Sequence, residues 1–164
     1  MRDPRLEGLW RSKTGSGYEY IAYGPHGQGS ILSFLKDKDG LTYDSTDFFV
    51  TRTPAHDYLN LRHELLRGTG GPTLSDTSDA WSFSVYYFSR RGRLVVTPLD
   101  GDGFYRAVKQ GKLRGENHDD IFASPFDPRT LLKDSSTHIL HFIESSKPEA
   151  LFGTPLSLSK ISGL

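Results

Sequence analysis

Leu6-Glu7-Gly8-Leu9-Trp10-Arg11-Ser12 is the stretch that decides the fold, because a Gly-x-Trp triplet there opens a series of strand-like runs. Trp is the largest side chain, and its indole N–H needs an acceptor wherever the ring is buried. On a strand, residues 8 and 10 point to the same face. A glycine at position 8 leaves room for a ring from another strand, or for a bend that closes the sheet. Trp10 is therefore expected where the first strand enters the core.

Outward from this stretch, short β-prone runs alternate with turn residues. Residues 18–23 (Tyr-Glu-Tyr-Ile-Ala-Tyr) read as a second strand, and Gly24-Pro25-His26-Gly27 as a turn. Residues 31–36 form a third strand, Asp39-Gly40 a hairpin signal, and residues 41–52 a long fourth strand stopped by Thr53-Pro54. Residues 58–65 alternate Leu59, Leu61, His63 and Leu65 against Tyr58, Asn60, Arg62 and Glu64, a half-buried strand. Residues 67–80 carry almost no apolar mass and read as a mobile loop. Residues 81–90 resume period-two alternation, Arg90-Arg91-Gly92-Arg93 turns, and residues 94–99 form another strand. The first two-thirds of the chain is thus an antiparallel meander.

At Asp100-Gly101-Asp102-Gly103 the pattern changes. Residues 104–110 read as a short helix, with Asp102 as the N-terminal acid and Gly111 as the stop. Residues 120–124 read as a short strand. Asp127-Pro128 caps and starts a helix running through Leu132. Ser136 or Thr137 caps a further helix over 138–146, ended by Pro148, and residues 156–162 close the chain with a strand.

Gly8-Leu9-Trp10 resembles the Gly-x-Trp signature on the first strand of lipocalin-like (calycin) β-barrels, in which the Trp plugs one end of the barrel. A second resemblance covers residues 94–162, carried by Leu99-Asp-Gly-Asp-Gly-Phe-Tyr-Arg-Ala-Val-Lys-Gln-Gly-Lys-Leu-Arg-Gly115, Ile121-Phe-Ala-Ser124, Ile139-Leu-His-Phe-Ile-Glu-Ser145 and Ala150-Leu-Phe-Gly-Thr-Pro-Leu-Ser-Leu-Ser-Lys-Ile161. This half is similar to a group of small, largely uncharacterised bacterial lipocalin-like proteins, often made as lipoproteins. The Asp127–Leu132 helix departs from that group. The resemblance implies one barrel domain over residues 1–164, with Gly8 and Trp10 as the plug, and no catalytic motif.

Composition narrows the function classes. Lys plus Arg and Asp plus Glu both number 20, so the chain is neutral with His uncharged. General nucleic-acid binding rests on phosphate neutralisation, so no nucleic-acid partner is expected, and the same neutrality argues against charge-driven binding to a membrane surface. With no cysteine, disulfides, thiolate catalysis and cysteine metal sites are excluded. No apolar run reaches the 18 residues or so that a transmembrane helix needs. Met1-Arg2-Asp3-Pro4 precedes no apolar h-region. The chain then reads either as a cytosolic start or as a mature segment given a new initiator Met. The first implies a cytoplasmic protein, the second a periplasmic or envelope-anchored one, and the letters leave both open, as they do the oligomeric state.

Each candidate constellation has a plainer reading. His138, His141 and Glu144 share a helical face, as metal ligands do, but Ile139, Leu140, Phe142 and Ile143 hold the opposite arc. The trio is then the solvated side of an amphipathic helix, and no metal or other cofactor is expected. Asp100-Gly-Asp102-Gly lacks the closing Glu of a calcium loop. Arg67-Gly-Thr-Gly-Gly-Pro lacks the Gly-Lys-Ser/Thr of a phosphate cradle. Arg90, Arg91 and Arg93, and separately Lys109, Lys112 and Arg114, sit at turn or helix ends where solvation explains them. His63, on the apolar side of its strand, reads as a satisfied core histidine. No Gly-x-Ser-x-Gly elbow exposes a nucleophile, and no base, nucleophile and oxyanion site can be assembled from spacing, so an enzyme is the third choice.

What remains is an aromatic on nearly every strand. A closed barrel of about eight strands fills its interior with such rings or holds one small ligand there. The residues expected to bind a small apolar ligand are Tyr20, Phe34, Phe48, Tyr58, Trp81, Phe83 and Tyr87. The alternative is a filled barrel acting as an envelope or protein-interaction module.

Overall fold

Alternating side chains along the described strands between residues 8 and 98, with a last strand at Leu156–Lys160, build a closed wall. A computed structural model of the chain describes residues 1–12, 17–36, 38, 40–62, 81–117, 130–147 and 150–161. In chain order these hold β1 (Gly8–Ser12), β2 (Tyr18–Tyr23), β3 (Gly29–Lys36), β4 (Leu41–Arg52), β5 (Asp57–Arg62), β6 (Trp81–Phe88) and β7 (Leu94–Pro98). There follow α1 (Gly101–Lys109), β8 (Gly115–Asn117), β9 (Thr130–Leu132), α2 (Ser136–Ser145) and β10 (Leu156–Lys160). Eight strands form a closed antiparallel barrel in the order β1-β10-β7-β6-β5-β4-β3-β2. The mainly-β expectation, with short helices ahead of the last strand, is what the structure has. No helix among the described residues is long and apolar enough to cross a membrane.

Two compact units result: Met1–Thr97 with Pro155–Leu164, and Pro98–Thr154. The first is the barrel. Its core gathers Leu6, Trp10, Ile21, Phe48, Val50, Leu59, Tyr86, Leu94 and Leu158, with Tyr23, Ile31, Leu61, Phe88 and Val96 against it. Trp10 is 1% exposed, and its indole N–H donates to the Leu6 carbonyl at 2.7 Å. The acceptor that a buried indole requires is thus supplied four residues upstream. Register explains the two glycines that matter. Gly29 stands opposite Phe48, and a Cβ there would lie 2.2 Å from the ring, so only glycine admits Phe48. Gly8 has φ +123°, and its open side is filled by the Lys160 stem rather than by a ring. The Lys160 ammonium lies 5.4 Å from the centre of the Trp10 ring.

One end of the barrel is closed by a 3₁₀ turn at Pro4–Leu6, organised by Asp3. The Asp3 carboxylate, 2% exposed, accepts from the Arg5 amide at 3.1 Å, the Arg5 guanidinium at 2.6 Å and the Tyr86 hydroxyl at 2.9 Å. Its own amide donates to the Tyr23 hydroxyl at 3.0 Å. A buried carboxylate survives only when hydrogen-bonded and paired, and Asp3 has both. Arg5 holds the carboxyl below its ordinary value, against burial, and Tyr86 adds to the effect. Burial and Asp3 together push the Tyr86 phenol up.

The second unit begins with α1, capped by Asp100, whose carboxylate accepts from the Asp102 amide at 3.1 Å. Asp102 is the first-turn acid, as expected, Asp100 is the cap, and the helix starts earlier than residue 104. Helix α2 is capped by Ser135, whose hydroxyl accepts from the His138 amide at 3.2 Å. Asp134, just before that cap, accepts from the Arg114 amide at 2.6 Å and from His138 Nδ1 at 3.1 Å. Those donors, Arg114 first, hold its carboxyl down at about 2. Phe104 and Phe142 pack with ring centres 6.2 Å apart, above buried Ile139 and Ile143.

Residues 130–132 correct one expectation. They were to end a helix begun at Asp127, yet they form β9, paired with β8 in the register Gly115↔Leu132 to Asn117↔Thr130. A six-residue helix cannot repay its nucleation cost alone. The ladder, together with Thr130 Oγ1 donating to Asn117 Oδ1 at 2.8 Å, satisfies the backbone and side chains better. The expected loop at 67–80, His63 to Leu65, the strand at 120–124 and the helix start at Asp127 lie outside the described residues.

Candidate functional site

The alternation of each strand decides which rings meet. Because Phe48, Val50, Leu59 and Tyr86 face the core, their sequence neighbours Phe49, Tyr58, Val85 and Tyr87 take the other face. Of the seven residues expected to bind ligand, Phe48 therefore faces inward. Tyr20, Phe34, Tyr58, Trp81, Phe83 and Tyr87 share the outer face of their strands. Tyr58 is nonetheless fully buried, Phe34 and Phe83 are half-buried, and Tyr20 and Tyr87 are exposed.

Two of the seven come together in one pocket. A concavity of about 430 Å³ is lined by Phe48, Phe49 and Trp81 with His26, Gln28, Asp47 and Arg62. Phe49 and Trp81 stack edge to face, ring centres 4.8 Å apart and planes at 67°. They are 40% and 38% exposed, so both keep a face toward the pocket. The β2–β3 turn forms one wall. It is closed by Gly24 N–H donating to the Gln28 carbonyl at 2.8 Å. Its Gln28 side-chain amide then donates to Asp47 at 3.1 Å, while Ser30 Oγ donates to the same carboxylate at 3.0 Å. Register sets this up, since Ser30 stands opposite Asp47. Arg62 stands opposite Trp81 on the next pair of strands.

The volume of this concavity lies within the range of small-molecule pockets, and the paired rings of Phe49 and Trp81 meet a few polar groups there, while Phe48 lines it from the core side. Asp47, Arg62, His26 and Gln28 escaped the sequence reading as site residues, and Phe49 is legible only as one of the strand aromatics. The signal available was the i, i+2 spacing of Asp47 and Phe49, which puts both on one face of β4.

A second concavity, about 370 Å³, is lined by residues 53–57 and by Val85, Tyr86 and Tyr87. It takes in Tyr87 but pairs it with no other of the seven. Inside the barrel, register strings Lys160, Trp10, Glu19, Ser33 and Asp44 into one inward rung across five strands. Burial pushes the Glu19 carboxyl up, although the Ser33 hydroxyl donates to it, and Asp44 adds to the rise. His138, His141 and Glu144 stand exposed on α2. No protein-family model matches the chain, and neither does any curated protein or solved structure.

Proposed function

We propose that residues 1–164 act as one lipocalin-like domain that carries or senses a small, largely apolar molecule without catalysing a reaction. The observation that carries this reading is the aromatic corner of Phe49 and Trp81 in a pocket of about 430 Å³. The closed eight-stranded barrel and the buried Trp10 of the Gly-x-Trp triplet support it. Asp47, Arg62 and His26 at the rim suit a ligand with one polar end.

A second reading is a protein-interaction module. It is favoured by the wall of β2, β3 and β4, where Tyr18, Phe34 and Tyr43 form one cross-strand row and Tyr43 is 77% exposed. One titration separates the two. Fatty acids, retinoids and haem-like compounds are added while tryptophan emission is followed. Trp81 reports the pocket, whereas buried Trp10 contributes little. A saturable change for one class, lost in Trp81→Phe, is the expected result. If no class produces it, the carrier reading fails and the interaction reading takes its place.

A further inference from the structure

Neutrality of the whole chain conceals a local excess of charge at the barrel end closed by Asp3. Arg2 and Arg5 come from the N-terminal segment, Arg52 from the end of β4, and Arg90, Arg91 and Arg93 from the β6–β7 turn. They are neighbours. The Arg5 guanidinium sits 4.7 Å over the Phe88 ring at the base of that turn. Arg5 and Arg52 share Asp3 and Asp57, with Arg5–Asp57 at 3.5 Å and Arg52–Asp3 at 3.6 Å. Arg2 is paired with Glu7. Arg2, Arg5 and Arg52 thus balance the three carboxylates of Asp3, Glu7 and Asp57, and the three arginines of the β6–β7 turn are left in excess.

That excess belongs to the turn. Among the described residues, none of Arg90, Arg91 and Arg93 meets a carboxylate, and the first two are exposed. The turn is nevertheless well held, since Ser89 N–H donates to the Arg93 carbonyl at 2.9 Å and Ser89 Oγ accepts from the Arg93 amide at 3.1 Å. A rigid turn presenting uncompensated guanidiniums is a preformed anion receptor. All six cations are arginine, whose planar fork grips phosphate oxygens in pairs.

We propose that this end of the barrel docks on an anionic lipid surface, with Arg90, Arg91 and Arg93 gripping headgroup phosphates. The arginines come from three separate connections distributed about one barrel end, which suits an extended layer of phosphates. The exposed Pro54-Ala55 tip beside Arg52 adds apolar atoms that a headgroup layer accepts. A single-stranded nucleic acid also needs rings on which bases stack. The exposed rings of Tyr18, Tyr20, Tyr43, Phe49, Trp81 and Tyr87 lie on strands of the wall, and of these Tyr87 alone stands beside the β6–β7 turn, too few for a run of stacked bases.

The test is co-sedimentation of the full chain with phosphatidylcholine vesicles, with and without phosphatidylglycerol, at low and high salt. Binding is expected only to the anionic vesicles, and salt should weaken it, because charges at a surface are screened within about 8 Å at physiological ionic strength. Each arginine near such a surface contributes about fivefold, so the triple variant R90S/R91S/R93S should bind on the order of a hundredfold more weakly. Its thermal midpoint should match the parent's, which separates lost docking from lost folding. Gly92, with φ +70°, is left in place. No binding to anionic vesicles, or equal binding by the triple variant, overturns the proposal. So does tighter binding to a single-stranded oligonucleotide than to the vesicles, which would make the patch a nucleic-acid surface.

Discussion

Replacing Asp3 tests whether the barrel end is held as the structure implies. Asp3→Ala removes the acceptor of the Tyr86 hydroxyl, which is otherwise buried with its 1% exposed ring. An orphaned buried hydroxyl costs about 1–3 kcal/mol. The same change removes the cap of the 3₁₀ turn, about 1 kcal/mol more. The ion pairs add little, because the Arg5 and Arg52 side chains are about half exposed and surface pairs contribute about 0–1 kcal/mol. The expected loss is about 2–4 kcal/mol, read as a lower urea midpoint at unchanged slope. Asp3→Asn keeps an acceptor for Tyr86 and should lose roughly half as much. The acid limb supplies a second check. The folded carboxyl lies below its ordinary 3.8, so its stabilisation is complete above that value and disappears as pH falls through the lower folded value. The gap between parent and Asp3→Asn should therefore narrow below about pH 4. A cycle with Tyr86→Phe should give a coupling of about 0.5–3 kcal/mol. A coupling within error of zero, with a pH-independent gap, would refute the role assigned to Asp3.

Two other changes probe the barrel interior. Trp10→Ala should cost about 3–5 kcal/mol, the range for large aromatic truncations in cores, and a denaturation midpoint within error of the parent's would mean the ring is peripheral. Glu19→Gln should raise the thermal midpoint at neutral pH, because a carboxyl whose folded value is raised is penalised when ionised; the gain should vanish toward its ordinary 4.5, and a uniform gain at all pH values would point to a cause other than ionisation.

Much of the barrel is legible in the amino-acid sequence. Period-two alternation locates the strands around Tyr18–Tyr23, Leu41–Arg52 and Trp81–Phe88, since a half-buried strand must alternate. Trp10 is legible as a core ring because its size and its indole N–H leave few other places for it. The first-turn acid Asp102 is legible, and the cap of α2 is legible to within a residue or two, Ser135 where Ser136 or Thr137 is expected, because small polar side chains cluster at such ends and any of them can accept. Residues 130–132 are not, since their partner β8 lies across an intervening stretch and local preference carries no word of it.

The concavity beside Phe49 and Trp81 is the least legible feature. Alternation says that Phe48 and Phe49 face opposite ways, but β4 is apolar on both faces there, so only packing of the whole barrel chooses which ring enters the core. Register then brings Asp47 to Ser30 and Arg62 to Trp81 from strands distant in sequence. The arginines show the same division. Their number and the neutral total are plain from the letters. That six of them gather at one end against three carboxylates follows from chain closure, which carries the N-terminal segment, the end of β4 and the β6–β7 turn to the same rim. Short-range preferences determine which segments become strands, because they act within a few residues. Which faces meet, and which charges become neighbours, depends on contacts between segments tens of residues apart, and those exist only once the barrel has closed.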